Sequence, residues 1–401
     1  MARLRTHLLA RGPLAEQAST FLGRAWSKGW LPPPDLDPAA LWALAAKPYG
    51  ASAEAAEHAG RSDEDVADFR ERLARLIASV EAEADLNPLG RTMAWGQLAR
   101  VVKNRLAFGA LWRERRDFLD TRLAPPIIVI GHMRSGTTRI HTLLAADPAH
   151  SYTRYCDAYH PVPVPLGLNR IKATLELAML GALNPWMQSI HPMTPGGVEE
   201  ELAWISAALH HSIYESQWHI PSYSAWSEAR DPAPIYREFA RILRTDAAHR
   251  GIADRPRVMK IPAFAEDLPA LLAQFPEARL VLAQRDHHAV LKSAVSLAAN
   301  QMAIQSDSCC LTAIETRWQH KIALREARIE SALAKWQGPV AAARFDDLNT
   351  DWRSAVARIY HDLGLTLTPP ALAAMRSVIA ASEGGRHKAH AAQLTRFAKA
   401  T

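Results

Sequence analysis

Ile127-Ile-Val-Ile130-Gly131-His-Met-Arg134-Ser135-Gly136-Thr137-Thr138 decides the architecture of this 401-residue chain. Its first four residues are wholly apolar and mostly β-branched, and they lie between Pro125-Pro126 and a glycine, as a buried parallel strand would. A helical pattern over 140–146 follows, so the stretch reads strand, loop, helix. Gly131 and Gly136 enclose four residues, the spacing of a loop whose backbone N–H groups and helix N-terminus hold a phosphate-like anion. In a P-loop ATPase the next residues are Lys, for the β/γ-phosphates, and Ser or Thr, for Mg²⁺. Here Thr137 takes the place of that Lys, which leaves Arg134 inside the loop to supply positive charge.

Downstream, short apolar runs at 257–261, 280–283 and 340–345 alternate with helical patterns at 290–299, 314–335 and 354–363. That alternation predicts an α/β domain over 125–401, a P-loop-like parallel sheet flanked by helices. Ligands of such folds sit beyond the carboxyl ends of the strands. Upstream, residues 1–124 read as an all-helical region broken by prolines, Leu31-Pro-Pro-Pro34 being the plainest break. Ser62 and Asp65 form a capping box. Val66, Phe69, Leu73, Leu76, Ile77 and Val80 then repeat at three- and four-residue spacing along one helical face. A second helical stretch, 95–120, carries many arginines, which read as a solvated surface.

Composition narrows the class. Hydrophobic residues make up 48% and charged residues 22%, globular values that exclude disordered, collagen-like and coiled-coil chains. Cys156, Cys309 and Cys310 are the only cysteines, too few for a disulfide framework or a paired-cysteine zinc site, so a reducing, cytoplasmic setting is expected. The basic start ends its apolar run at Arg11, too early for a signal-peptide core. The most apolar later stretch, 173–183, is well short of the ~20 residues a membrane span needs, so no transmembrane segment is expected. A formal charge of +6 favours anionic ligands but is too diffuse to indicate nucleic acid.

The run Leu280-Val-Leu-Ala-Gln-Arg285-Asp286 repeats the strand-to-helix pattern, with Ser293 eight residues beyond Arg285. A guanidinium at a strand end and a nearby hydroxyl suit a phosphate. Together with Arg-Ser-Gly-Thr-Thr at 134–138, this pair resembles the family of sulfotransferases that use 3′-phosphoadenosine 5′-phosphosulfate (PAPS), in its bacterial type with an N-terminal helical extension. The resemblance covers about residues 125 to 401. It implies a core like that of nucleoside kinases and a loop in which Arg134, Ser135, Gly136, Thr137 and Thr138 grip the 5′-phosphosulfate. Arg285 and Ser293 would bind the 3′-phosphate, 3′,5′-adenosine bisphosphate would be the product, and no metal would be required. The acceptor would be a hydroxyl or amine of a small molecule, lipid or carbohydrate.

Further segments carry the same resemblance. Arg257-Val-Met-Lys260-Ile-Pro262 resembles the family's Lys-x-Pro strand end, so Lys260 either contacts the transferring group or acceptor, or is a structural surface residue. His191-Pro-Met-Thr-Pro-Gly-Gly-Val-Glu199-Glu200-Glu201 resembles the loop that ends in acids opening a helix. Glu200 is the first candidate for the base that deprotonates the acceptor, and His191 the second; Arg134 would stabilise charge on the departing phosphate. Three acids at a helix start also complement the helix dipole. His132 and His141 are assigned to loop packing and the helix surface. Trp204, Tyr214, Trp218, Tyr223 and Trp226 are assigned to core packing or an apolar acceptor pocket.

The chain departs from the family in three places. His287 follows Arg285-Asp286 where Pro is usual, and Arg139 stands where cytosolic relatives stack a Trp on adenine. In the tail, Gly384-Gly-Arg386-His387-Lys388 resembles a loop closing over the 3′-phosphate, with His390 and Phe397 at family spacing, but Ala392 and Ala398 replace Tyr and Gly. The helical extension is expected to cap the acceptor site or to make a homodimer contact. The rival readings are a nucleotide-dependent kinase and a nucleotide-binding homologue without transferase activity.

Overall fold

A computed structural model of the chain describes residues 11–132, 136–164, 167–185, 187, 191–284 and 287–382. Five parallel strands form one sheet: β1 (Ile127–Ile130), β2 (Ser151–Tyr152), β3 (Arg257–Lys260), β4 (Arg279–Gln284) and β5 (Val340–Arg344). Their spatial order is β2-β3-β1-β4-β5, with Ile127 beside both Val258 and Arg279 and Leu280 beside Val340. β1 is therefore central, and all four of its side chains are fully buried, which is why its sequence is continuously apolar rather than alternating. The chain runs from β1 to one side for β2 and β3, then crosses to the other side for β4 and β5. The carboxyl end of β1 is thus the point where connections part, the place where open α/β sheets bind ligands. Only the two-residue edge strand β2 has no apolar run to announce it.

Before β1 the described residues are helical: α1 (Pro13–Ser27), α2 (Pro38–Ala46), α3 (Ala53–His58), α4 (Asp63–Glu83) and α5 (Pro88–Glu114). The Ser62 hydroxyl caps α4 by accepting from the Asp65 N–H at 3.2 Å, and Val66, Phe69, Leu73, Leu76, Ile77 and Val80 are buried along one face as the spacing predicts. The second helix starts earlier and ends earlier than expected. Asn87 caps it by accepting from the Gly90 N–H at 2.9 Å, Pro88 occupies its first turn, and a short 3₁₀ turn at Arg116–Phe118 follows its end. After β1 come α6 (Thr137–Ala145), α7 (Tyr155–Tyr159) and α8 (Leu168–Leu183), then the longer helices Ala233–Arg250, His287–Gln305 and Leu311–Leu333.

The apolar core runs across the junction at residue 124. Phe108 and Trp112 of α5 pack with Ile128 and Ile130 of β1 and with Phe239 and Phe264. A second cluster joins Phe69, Leu76, Leu98 and Leu106 to Tyr214, Trp218 and Tyr223. Trp204, Tyr214, Trp218 and Tyr223 are therefore core residues, at most 1% exposed.

Of the arginines expected on a solvated face over 95–120, Arg113, Arg115 and Arg116 are exposed, but Arg105 is buried instead, as is Arg61 before α4. Arg105 of α5 is 3% exposed and donates to Glu57 at 3.2 Å. Arg61, between α3 and α4, donates two bonds to Glu238, at 2.9 and 2.6 Å. Burial opposes ionisation of Glu238, but the charges of Arg61, Arg105 and Arg241 overcome it and bring its pKa down to about 2. A second buried network centres on Lys321 of helix Leu311–Leu333. Its ammonium lies 2.6 Å from Glu228, Glu266 and the His211 imidazole, and 2.9 Å from Glu215.

Candidate active site

Beyond the carboxyl end of β1 the chain turns into α6. Gly136, the residue that opens α6, has φ +89°, and a Cβ there would lie 2.5 Å from the Phe345 ring. Glycine is thus required by both the left-handed backbone and the aromatic ring that follows β5. Thr137, in the position of an ATPase loop's Lys, is buried, and its N–H and that of Thr138 belong to the unladdered first turn of α6. Met133, Arg134 and Ser135 lie outside the described residues, as do Arg285 and the tail from 383 on. A cavity of about 560 Å³ opens beside Gly131, His132 and Gln284, at the carboxyl ends of β1 and β4, with Glu326 and Glu330 of helix Leu311–Leu333 on its far wall.

Lys260 at the end of β3 reaches the start of α6. It is 2% exposed, so the surface alternative does not hold. Its ammonium donates to the Thr138 hydroxyl at 3.1 Å and to the Glu200 carboxylate, joining the start of α6 to the acidic loop. Its backbone N–H donates to Glu201 at 2.9 Å.

The three consecutive acids thus face three different groups: the His191 ring, the Lys260 ammonium and the Lys260 backbone N–H. The Glu199 carboxylate lies 3.0 Å from His191 Nε2 and accepts the Glu200 N–H at 2.9 Å. Burial would lower the His191 pKa, but Glu199 outweighs it and raises it above the ordinary imidazole value. Burial likewise opposes ionisation of Glu199, and His191 reverses the effect and lowers the Glu199 pKa. Glu201 is wholly enclosed, and burial drives its pKa up to about 7 against the pull of the Thr153 hydroxyl and the Lys260 N–H. The helix after these acids, Leu202–Ser206, has only five residues, so dipole complementation explains little of their placement.

The structure brings Thr138, Lys260 and Glu200 together and pairs His191 with the neighbouring Glu199. Ser293 is buried within helix His287–Gln305, which leaves the carboxyl end of β4. His141 is a correction. It is 2% exposed rather than on the helix surface, its Nε2 faces the Val258 carbonyl at 3.2 Å, and burial together with Lys260 lowers its pKa to about 3. Arg139, in the position where cytosolic relatives carry Trp, is held by the Asn349 side chain. The sequence singles out Glu200 by its place in the family pattern, but nothing in a run of three acids says which partners Glu199 and Glu201 face. The Lys321 network was missed as well, because Lys321 and Arg325 at i, i+4 look like an ordinary solvated helix face.

Comparison with known proteins agrees with this fold. Sulfotransferase STF1 from Mycobacterium tuberculosis H37Rv is similar in structure over 90% of this chain and 97% of its own, with a TM-score of 0.72 and 28% identity. Sulfotransferase STF9 from Mycobacterium avium has the same fold, with a TM-score of 0.74 and 22% identity over 85% of this chain and 86% of its own. Among curated proteins none matches. The model of the sulfotransferase family matches residues 125–369, from just before β1 to the start of helix Pro369–Ser382, and the chain belongs to that family.

Proposed function

We propose that the protein transfers the sulfuryl group of PAPS to a hydroxyl or amine of a small-molecule acceptor. The observation that carries this reading is the Thr138–Lys260–Glu200 chain, which places one buried cation between the start of the anion-binding helix and a carboxylate. The loop 131–138 receives the 5′-phosphosulfate, with Arg134 and Ser135 completing it and the first-turn N–H groups of α6 directed at the anion. Arg285 and Ser293 receive the 3′-phosphate.

In the transfer step the acceptor oxygen or nitrogen attacks sulfur in line. A new bond to sulfur forms while the bond from sulfur to the bridging oxygen breaks, and that oxygen leaves on the 5′-phosphate with the electron pair. Glu200 takes the acceptor's proton. Its exchange of Lys260 for the acceptor frees the ammonium to stabilise charge on the departing phosphate. His191 is the less available base, because pairing with Glu199 raises its pKa and keeps the ring protonated to higher pH than a free imidazole, leaving less of it able to take the acceptor's proton.

Calorimetric titration with 3′,5′-adenosine bisphosphate and with ATP, each with and without Mg²⁺, tests the reading. The expected result is metal-independent micromolar binding of the bisphosphate, abolished by Arg285→Ala and retained by Glu200→Gln. Binding of ATP only with Mg²⁺, without bisphosphate binding, would replace it by the kinase reading. Bisphosphate binding with no transfer from radiolabelled PAPS across an acceptor screen would leave a nucleotide-binding homologue.

A further inference from the structure

α8 presents an apolar face to solvent. Leu168, Ile171, Leu175 and Met179 are 44%, 58%, 67% and 61% exposed, and Ala178 and Ala182 are exposed beside them. At about 100° per residue these six positions fall within one arc roughly 100° wide and extend over about 20 Å of helix. No charged residue interrupts the arc. Scattered exposed leucines are ordinary, but a continuous helical stripe of this kind marks an interaction surface.

The charges around the stripe indicate what covers it. The single acid of α8, Glu176, is turned to the protein, where it pairs with Arg100 at 3.1 Å and His160 at 3.2 Å. Lys172 remains exposed at the border of the stripe, and Arg170 is exposed farther round the helix. α1 packs against the C-terminal end of α8 through Ala15, Ala18 and Leu183, and extends the pattern with exposed Leu14, Phe21, Arg24 and Lys28. Its own acid, Glu16, is paired with Arg11 at 3.3 Å. Just beyond α1, Trp30 is 63% exposed, with the Lys28 ammonium 4.8 Å from its ring centre. An apolar stripe bordered by cations, with an exposed Trp beside Lys, is the pattern of a helix lying in a bilayer interface.

We propose that the outward face of α8, with the exposed residues of α1 and Trp30, docks the protein onto an anionic lipid bilayer. α8 lies on the surface and does not cross it, since its 16 residues are too few and no helix among the described residues is long and apolar enough to span a membrane. The inner face of α8 explains why docking matters. Ala173 and Leu177 pack on Tyr155, Cys156 and Met193, and Met193 is two residues from His191. The docked helix therefore seats directly on the loop that carries His191 and the acids, and an amphiphilic acceptor in the lipid surface meets that loop without leaving the interface.

Cosedimentation of the full chain with vesicles tests docking independently of any transfer activity. The protein is expected to bind vesicles of phosphatidylcholine containing phosphatidylglycerol, to bind phosphatidylcholine alone far more weakly, and to be released by salt. Leu175→Glu combined with Met179→Glu should weaken binding about 100-fold, roughly tenfold for each apolar side chain lost from the interface. Both positions are exposed, so the thermal melt should not change. Absence of binding to the anionic vesicles, or equal binding by the double variant, overturns the proposal. So does light scattering that finds a dimer converted to monomer by the double variant, which would assign the stripe to a second copy of the chain.

Discussion

Replacing Glu201 with Gln should stabilise the protein at alkaline pH and do much less at acid pH. Glu201 is fully buried and its pKa is about 7, against 4.5 for an unperturbed Glu. Between these values the folded state keeps a proton that the unfolded state has released, so stability falls as pH rises through this window and the penalty is constant above it. At about 1.36 kcal/mol per pKa unit the full penalty is about 3 kcal/mol. Gln mimics the protonated carboxyl, and its Oε1 can accept the Lys260 N–H that Glu201 accepts at 2.9 Å. Urea denaturation of both proteins at pH 5 and pH 8.5, followed by Trp fluorescence, isolates this residue, because every other titrating group is common to both and cancels in the difference. The variant's advantage should grow by about 2–3 kcal/mol between the two pH values. A difference that does not change with pH would refute the argument, and one that shrinks would show that Glu201 is ionised and favourably placed in the fold.

Three further outcomes follow from named contacts. By NMR titration the His191 pKa should lie above the ordinary imidazole value, and Glu199→Gln should lower it, because burial is then opposed by Glu200 alone. Glu238→Gln should cost about 3–5 kcal/mol in urea denaturation at pH 7, since it removes the charge that compensates Arg61, whose side chain is 0% exposed. Gly109→Ala should destabilise by at least 1–3 kcal/mol, roughly the cost of overpacking, because its Cβ would lie 1.6 Å from the Ala56 carbonyl oxygen where α3 crosses α5. Gly96→Ala on the same helix meets open space and should be neutral or stabilise by up to about 1 kcal/mol; equal effects at the two glycines would contradict the packing described.

Most strands and the longer helices were legible because their signals are local. β1 is four consecutive buried apolar residues next to a glycine, and α4 combines a Ser cap with an apolar face. Two helix starts moved toward a residue that local chemistry favours there. Asn87-Pro88 starts α5 before the apolar pattern begins, and Gly136 starts α6 directly after the loop. β2 was not legible, because two residues at a sheet edge carry no periodicity and exist as a strand only through pairing with Arg257 and Val258.

The candidate site divides in the same way. Sequence by itself determined the glycine-bounded loop after β1, the strand-end position of Lys260 and the acidic segment 199–201, since each depends on residues adjacent in the chain. Only the tertiary structure decided that Lys260 is buried between Thr138 and Glu200, that His191 belongs to Glu199, and that Glu201 is the enclosed acid beneath them. It also decided that Arg61 and Arg105 are interior and that the apolar stripe of α8 is exterior. A charged side chain written in a sequence carries no mark of its partner, and an apolar helix face carries no mark of what covers it. Both are settled by which segments, often more than a hundred residues apart, the sheet brings into contact, and the cost of burying an unpaired charge then selects the partner.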